Sequence, residues 1–329
     1  MKKNIALVTG GFSGEAVISY KSAATIYKNI DPQKWNCFLV DINSNGWFYK
    51  DDSGNTTLVD KNDFSIIDQG KKINFDAVLI GMHGTPGEDG KLQGYFDCLH
   101  IPYTSCDAAT SALTFNKRFT VAVAAFAGIA VAKSVHLLNR YSDTENTILS
   151  QLTLPLFVKP NNGGSSLGIS KVNDKAALSP ALDKAFKEDD QVLVEEYISG
   201  REFTIGVFQS KGEIITLPIT EIISKNDFFD FQAKYEGASE EVTPANIENS
   251  MASQIREEAK KVYQVFNCKG IIRIDFIFNE REQRPYLLEI NTVPGQSAAS
   301  IVPQQVRAMG WTLMEFYSTI IESCLENKL

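Results

Sequence analysis

Short apolar runs, each closed by a glycine-bearing turn and separated by amphipathic spacers, constrain this chain more than any other feature. Residues 5–8 (Ile5-Ala6-Leu7-Val8) read as a buried strand, 15–30 as a helix, 37–40 as a second strand and 77–80 as a third. Strands spaced by helices pack as parallel βαβ units, because a crossover returns the chain to the same end of the sheet. A helix over about 90–100 and the segment 101–105 close that unit, and 111–126 reads as a further helix ended by Gly128. The middle, 107–198, places strands at 131–137, 156–159 and 192–195 around a small-residue turn and a helix near 181–187. The last third holds strands at 202–208 and 214–218, a polar stretch at 224–249, a helix at 251–266, strands at 271–278 and 286–291, and a terminal helix from about Trp311. A polar stretch of that length inside a compact chain is either functional or disordered.

With 329 residues the chain has material for roughly two domains of ~150 residues, or three small ones. It is 43% hydrophobic with 22 Gly and 11 Pro, so neither disordered nor fibrous. A formal charge of −8 disfavours nucleic acid or an anionic membrane as partner. Cys37, Cys98, Cys106, Cys268 and Cys324 form no C-x-x-C pair, which fits a reducing compartment better than a disulfide framework or a zinc site. The apolar run after Lys3 stops at Gly10-Gly11, short of the ~7–15 residues of a signal-peptide core. The stretch 121–132 falls well below the ~20 residues of a membrane span. A soluble, cytoplasmic protein is the expectation.

Several segments can carry chemistry. In Phe157-Val158-Lys159-Pro160-Asn161-Asn162-Gly163-Gly164-Ser165-Ser166-Leu167-Gly168 a strand delivers a lysine to a loop whose amides can wrap a phosphate. No Gly-Lys-Ser/Thr follows the glycines, so this is not a P-loop, and a plain hairpin turn would look the same. In Arg273-Ile274-Asp275 and Glu289-Ile290-Asn291 alternate side chains share a face. If those strands pair, Asp275, Glu289 and Asn291 converge as the hard oxygen donors that Mg²⁺ takes beside phosphates. Their apolar neighbours suit burial, and acids in such a place call for a partner. Val192-Leu193-Val194-Glu195-Glu196-Tyr197-Ile198, followed by Glu202, offers backbone groups to an adenine edge and a carboxylate to ribose hydroxyls, or is simply a solvated strand end. Gly10-Gly11-Phe12-Ser13-Gly14-Glu15 puts Glu15 in the first turn of a helix. There an acid offsets the dipole or, facing the strand C-termini, holds an ammonium. The run from His83-Gly84 to Glu88-Asp89-Gly90 follows another strand and can enter the same crevice, while His100 and His136 read as structural.

Taken together, in order and spacing, these motifs resemble the D-alanine–D-alanine ligases of the ATP-grasp superfamily, nearly end to end. Gln93-Gly94, Lys234-Tyr235 and Leu288-Glu289-Ile290-Asn291-Thr292-x-Pro294-Gly295 complete the match. The resemblance implies an α/β (α+β mixed) chain with a three-domain ATP-grasp fold: a Rossmann-like parallel-sheet domain at 1–106, a central lid domain at 107–198 and a C-terminal domain at 199–329. It implies that Lys117, Lys159, Ser165 and Ser166 meet ATP phosphates, that Glu195, Glu196 and Ile198 frame adenine and that Glu202 takes the ribose. Asp275, Glu289 and Asn291 would hold two Mg²⁺ (or Mn²⁺) ions. Glu15, with His83 nearby, would bind the first D-alanine, and Lys234 and Ser300 the carboxylate of the second. Ser165 and Tyr235 would link to Glu15 as the loop 224–249 closes, while Arg273 and the Gly295 amide face the oxyanion. A homodimer is the family's frequent form, and peptidoglycan precursor synthesis its purpose.

The sequence departs from the family pattern at Asn116, usually aspartate, at Val121, Ala16 and Ala299, and at Glu196. Two other activities compete with this one. Thr9-Gly10-Gly11-Phe12-Ser13-Gly14-Glu15-Ala16 resembles a dehydrogenase turn, but no tyrosine has a lysine four residues later, as that nicotinamide-dependent family requires. Another ATP-grasp carboxylate–amine ligase is the second, disfavoured by Glu15, Lys234-Tyr235 and Ser300. A catalytically dead module of the same fold is disfavoured by the intact Asp275, Glu289 and Asn291.

Overall fold

The computed structural model describes every residue except 1, 52, 142, 165, 166, 225–238 and 327–329. The first sheet is built on the strand Lys3–Gly10, buried over its last six residues. Trp35–Asn43 and Ala77–Ile80 flank it in parallel register. Gly46–Lys50 and Thr56–Leu58 then extend the sheet antiparallel, so it is parallel only across Trp35–Asn43, Lys3–Gly10 and Ala77–Ile80. The helix Ala16–Asn29 makes the first crossover and buries Ser19, Ser22, Ala23 and Ile26, an i, i+3, i+4, i+7 stripe. Ile5, Leu7 and Leu79 share one core with Val302, Val306, Phe316 and Ile320. The helices Ile301–Ala308 and Leu313–Glu326 thus close the two ends of the chain on each other.

The second sheet is wholly antiparallel, in the order Ser170–Val172, Leu156–Pro160, Val192–Glu196, Ser134–Leu137. The helices Thr144–Gln151 and Leu178–Ala185 cover it through Ile148, Leu178 and Leu182. In the third sheet, Arg201–Ser210 and Arg284–Asn291 flank Ile272–Asn279. Residues 272–279 alternate strictly: Ile272, Ile274, Phe276 and Phe278 are fully buried against the helix Asn249–Val265, and the residues between them face the other way. Period-2 patterning dictates this, and it leaves Arg273 and Asp275 on the face away from that core.

Three local expectations change. The helix expected over 111–126 is two, Ala108–Phe115 and Lys117–Phe126. Asn116 breaks it because its side chain accepts from the Phe119 amide (3.2 Å) as the cap of the second helix. Within 224–249, Ser239–Val242 pairs antiparallel with Thr220–Ser224. The eight-residue helix Ile301–Ala308, with Pro303 in its first turn, and the short strands between 46 and 73 were not expected. Among the described residues no helix is long and apolar enough to cross a membrane.

Candidate active site

The pairing expected in the last third is present. Asp275 lies opposite Glu289 and Arg273 opposite Asn291, so the four polar side chains share one face. A register shift after Asp275 leaves Leu288 as an extra residue, and it too lines the cavity. Two carboxylates directly opposite repel each other. Arg273 offsets this: its Nε and Nη2 donate to Asp275 Oδ1 and Oδ2 at 2.9 and 2.8 Å, with Glu289 Oε1 at 4.0 Å. Thr204, on the other neighbouring strand, also donates to Asp275 Oδ1, at 2.5 Å.

This donor set fits a divalent cation. Both oxygens of Asp275 are held in place by these donors, Oδ1 by Arg273 and Thr204 and Oδ2 by Arg273. Glu289 is the more exposed of the two acids, its side chain 39% accessible. Asn291 Oδ1 is buried without a hydrogen-bond partner among the described residues. A buried orphan oxygen beside two carboxylates is what a hard cation satisfies.

Across a cavity of about 380 Å³ stand Lys117 and Lys159, and Glu195, Glu202, Glu15, His83, Gly295 and Ser300 also line it. Strand register sets Lys159 diagonal to Glu195, and Nζ meets Oε2 at 2.5 Å with both side chains largely buried. Lys117 opens a helix and donates to the Gly163 carbonyl at 2.7 Å. A chain of amides fastens this corner: Asn116 Nδ2 donates to Asn162 Oδ1 (3.1 Å), and Asn162 donates twice to Asp189 Oδ2, at 2.6 and 2.9 Å. Ser300 occupies the N-cap of Ile301–Ala308 and pairs with Ser297 Oγ at 2.7 Å.

Glu15 stands at the N-cap of Ala16–Asn29 but makes no side-chain cap bond. Its carboxylate lies instead against two glycines. A Cβ on Gly84 would come 2.5 Å from Oε2, and one on Gly164 would come 2.8 Å from Oε1. Glycine at both positions therefore lets the first crossover and the small-residue loop close on one acid, and Gly84 also needs its φ of +67°.

Glu88 sits beside this acid, 8% exposed, accepting from the Gly84 amide at 2.5 Å. Burial, followed by the charge of Glu15, pushes its carboxyl up to about 8. Between its ordinary 4.5 and about 8 the unfolded chain has released a proton that the folded chain keeps, so this group lowers stability as pH rises through that window. Glu88→Gln should therefore gain stability over the parent progressively from about pH 4.5 to about 8, as read by urea denaturation. A difference independent of pH would contradict this.

Family models described as the D-ala D-ala ligase N-terminus and C-terminus match residues 4–106 and 115–322. The D-alanine–D-alanine ligase of Parabacteroides distasonis is 45% identical over 328 residues, spanning 100% of this chain and 99% of its own. The chain belongs to the D-alanine–D-alanine ligase family. Among solved structures, the VanG D-Ala:D-Ser ligase of Enterococcus faecalis superposes with a TM-score of 0.87 at 31% identity, over 98% of this chain and 100% of that one. A Bacillus anthracis D-alanine–D-alanine ligase complexed with ATP gives 0.79 at 27%, over 99% and 98%. The mixed α/β arrangement described above is thus the ATP-grasp fold of these ligases.

Not every expected residue reaches the cavity. Glu196 alternates onto the opposite face from Glu195, and its carboxylate accepts from the Thr153 amide at 2.7 Å. Neither Glu196 nor Ile198 is among the lining residues. Ser165, Ser166, Lys234 and Tyr235 lie outside the described residues. Conversely, Thr204, Glu241 and the Asp189–Asn162–Asn116 chain were not foreseen. Of these, only Asn116 carried a signal, a helix-capping amide within a run that reads as one helix.

Proposed function

We propose that this cavity joins two D-alanine molecules at the expense of ATP, through a D-alanyl phosphate, to supply a peptidoglycan precursor. The joining of two D-alanines with ATP is the activity of the family, and relatives at 40–46% identity carry its name. The observation that most supports the reading is the convergence of Lys117, Lys159, Glu15 and the Arg273–Asp275–Glu289–Asn291 face on one cavity. A carboxylate is a poor acyl donor, so the γ-phosphoryl is first moved onto it, and the second amine then displaces phosphate.

In this reading Lys117 and Lys159 take the ATP phosphates as point charges, and Glu195 orients Lys159 through their ion pair. Glu202 takes the ribose. Glu15, wedged between Gly84 and Gly164, holds the ammonium of the first D-alanine. Asp275, Glu289 and Asn291 would hold two Mg²⁺ ions, which when bound neutralise charge on the transferring phosphoryl. Arg273 and the Gly295 amide stabilise the tetrahedral oxyanion. Ser300, at a helix N-terminus, receives the carboxylate of the second D-alanine, where partial positive charge favours an anion. Lys234 assists it, and Ser165 and Tyr235 keep the linking role that the family gives them. The division at 106/107 and 198/199, a homodimer and a cytoplasmic location complete the proposal; the five free thiols agree with a reducing compartment.

Protein mixed with ATP, Mg²⁺ and D-alanine should release ADP, phosphate and dipeptide in equal amounts. ADP and phosphate without dipeptide would overturn the assignment.

A further inference from the structure

Ser22 lies fully buried on the helix Ala16–Asn29, and no step above uses it. Its Oγ stands 2.9 Å from His83 Nε2 and 3.1 Å from the Gln296 amide. An amide N–H only donates, so Ser22 accepts from Gln296 and its own proton goes elsewhere. A hydrogen bond with the Val293 backbone offsets part of the burial that lowers the His83 pKa. Burial holds the imidazole neutral, its pKa lowered to about 4, so it carries a single N–H. Ser22 Oγ and His83 Nε2 share one hydrogen bond, its direction following the imidazole tautomer. One serine–histidine pair thus grips the segment 293–296 at both ends, and Gly295 lies inside it. The rest of the mount is equally dry. The His83 amide donates to Ser19 Oγ at 2.9 Å, and Tyr317 donates to Gln296 Oε1 at 3.2 Å.

We propose that Ser22 is a positioning residue for acyl transfer: acting through Gln296, and oriented by His83, it holds the Gly295 amide where the oxyanion develops. The proposal rests on the reading of Arg273 and Gly295 as the groups facing that oxyanion. An oxyanion donor has to be in place before charge appears, because a displacement of about 1 Å costs about 10²-fold in rate.

The test compares the full-length parent enzyme with Ser22→Ala and Ser22→Thr. For each it records kcat, KM for ATP, melting temperature, and affinity for a phosphinate dipeptide analogue whose tetrahedral phosphorus replaces the attacked carbon. Ser22→Ala is expected to lose about 10- to 100-fold in kcat and comparably in analogue affinity, with KM for ATP within about twofold of the parent. Ser22→Thr, which keeps the hydroxyl, should restore both; if it does not fold, Ser22→Cys, a weaker donor, replaces it. A lower melting temperature with kcat and analogue affinity unchanged would make Ser22 merely structural and overturn the proposal. So would equal losses in kcat and KM for ATP. If the parent itself binds the analogue no tighter than the dipeptide, the oxyanion reading fails and takes the Ser22 proposal with it, a result read on the parent alone.

Discussion

Arg273→Ala is expected to lower kcat by about 10²–10³-fold, the loss that follows removal of one oxyanion donor elsewhere. The guanidinium is only 16% exposed and is forked onto Asp275, so it cannot swing away from the cavity without abandoning two hydrogen bonds. That fork aims the group in advance of the reaction, and its removal also takes from Asp275 the donor that fixes both its oxygens. Arg273→Lys returns the charge but not the planar fork, so it should recover only part of the rate. Steady-state kinetics distinguish the effects: kcat and kcat/KM should fall together, as they do when an interaction made only in the transition state is lost. Near-parental kcat in Arg273→Ala would remove the residue from the chemistry.

Glu289→Gln carries the second large effect. The substitution keeps an oxygen in place and deletes one charge from the donor set of Asp275, Glu289 and Asn291. Because the Glu289 side chain is 39% exposed, the melting temperature should hardly move. The rate at saturating Mg²⁺ should drop by about 100-fold or more, because a divalent ion contributes several kcal/mol of charge stabilisation when phosphoryl groups move. The Mg²⁺ concentration for half-maximal rate should rise as well. Parental turnover with an unaltered Mg²⁺ dependence would remove the metal role from this face.

The legible parts of this molecule were those written in side-chain period. The alternation from Ile272 to Phe278 announces a half-buried strand, and it alone predicts that Arg273 and Asp275 share a face. The bulge at Leu288 was not legible, since one extra residue in a ladder changes no composition. Asn116 shows how local chemistry overrides period: its amide caps a helix from inside a run that otherwise reads as continuous. Glu88 resembles any acid in a polar turn, and only the packing of Glu15 and Gly84 around it reveals its burial. Ser19 and Ser22 gave a faint sign in retrospect. They are polar residues on the stripe that also carries Ala23 and Ile26, a place where hydroxyls need buried partners.

The most direct measurement follows an oxygen atom. With D-alanine labelled in both carboxylate oxygens by ¹⁸O, transfer of the γ-phosphoryl to that carboxylate and its displacement by the second amine must carry one labelled oxygen into inorganic phosphate for each dipeptide made. Mass spectrometry of the phosphate should therefore show one ¹⁸O per product molecule. Phosphate free of label while dipeptide accumulates would contradict the acyl phosphate route, and with it the roles given to both faces of the cavity.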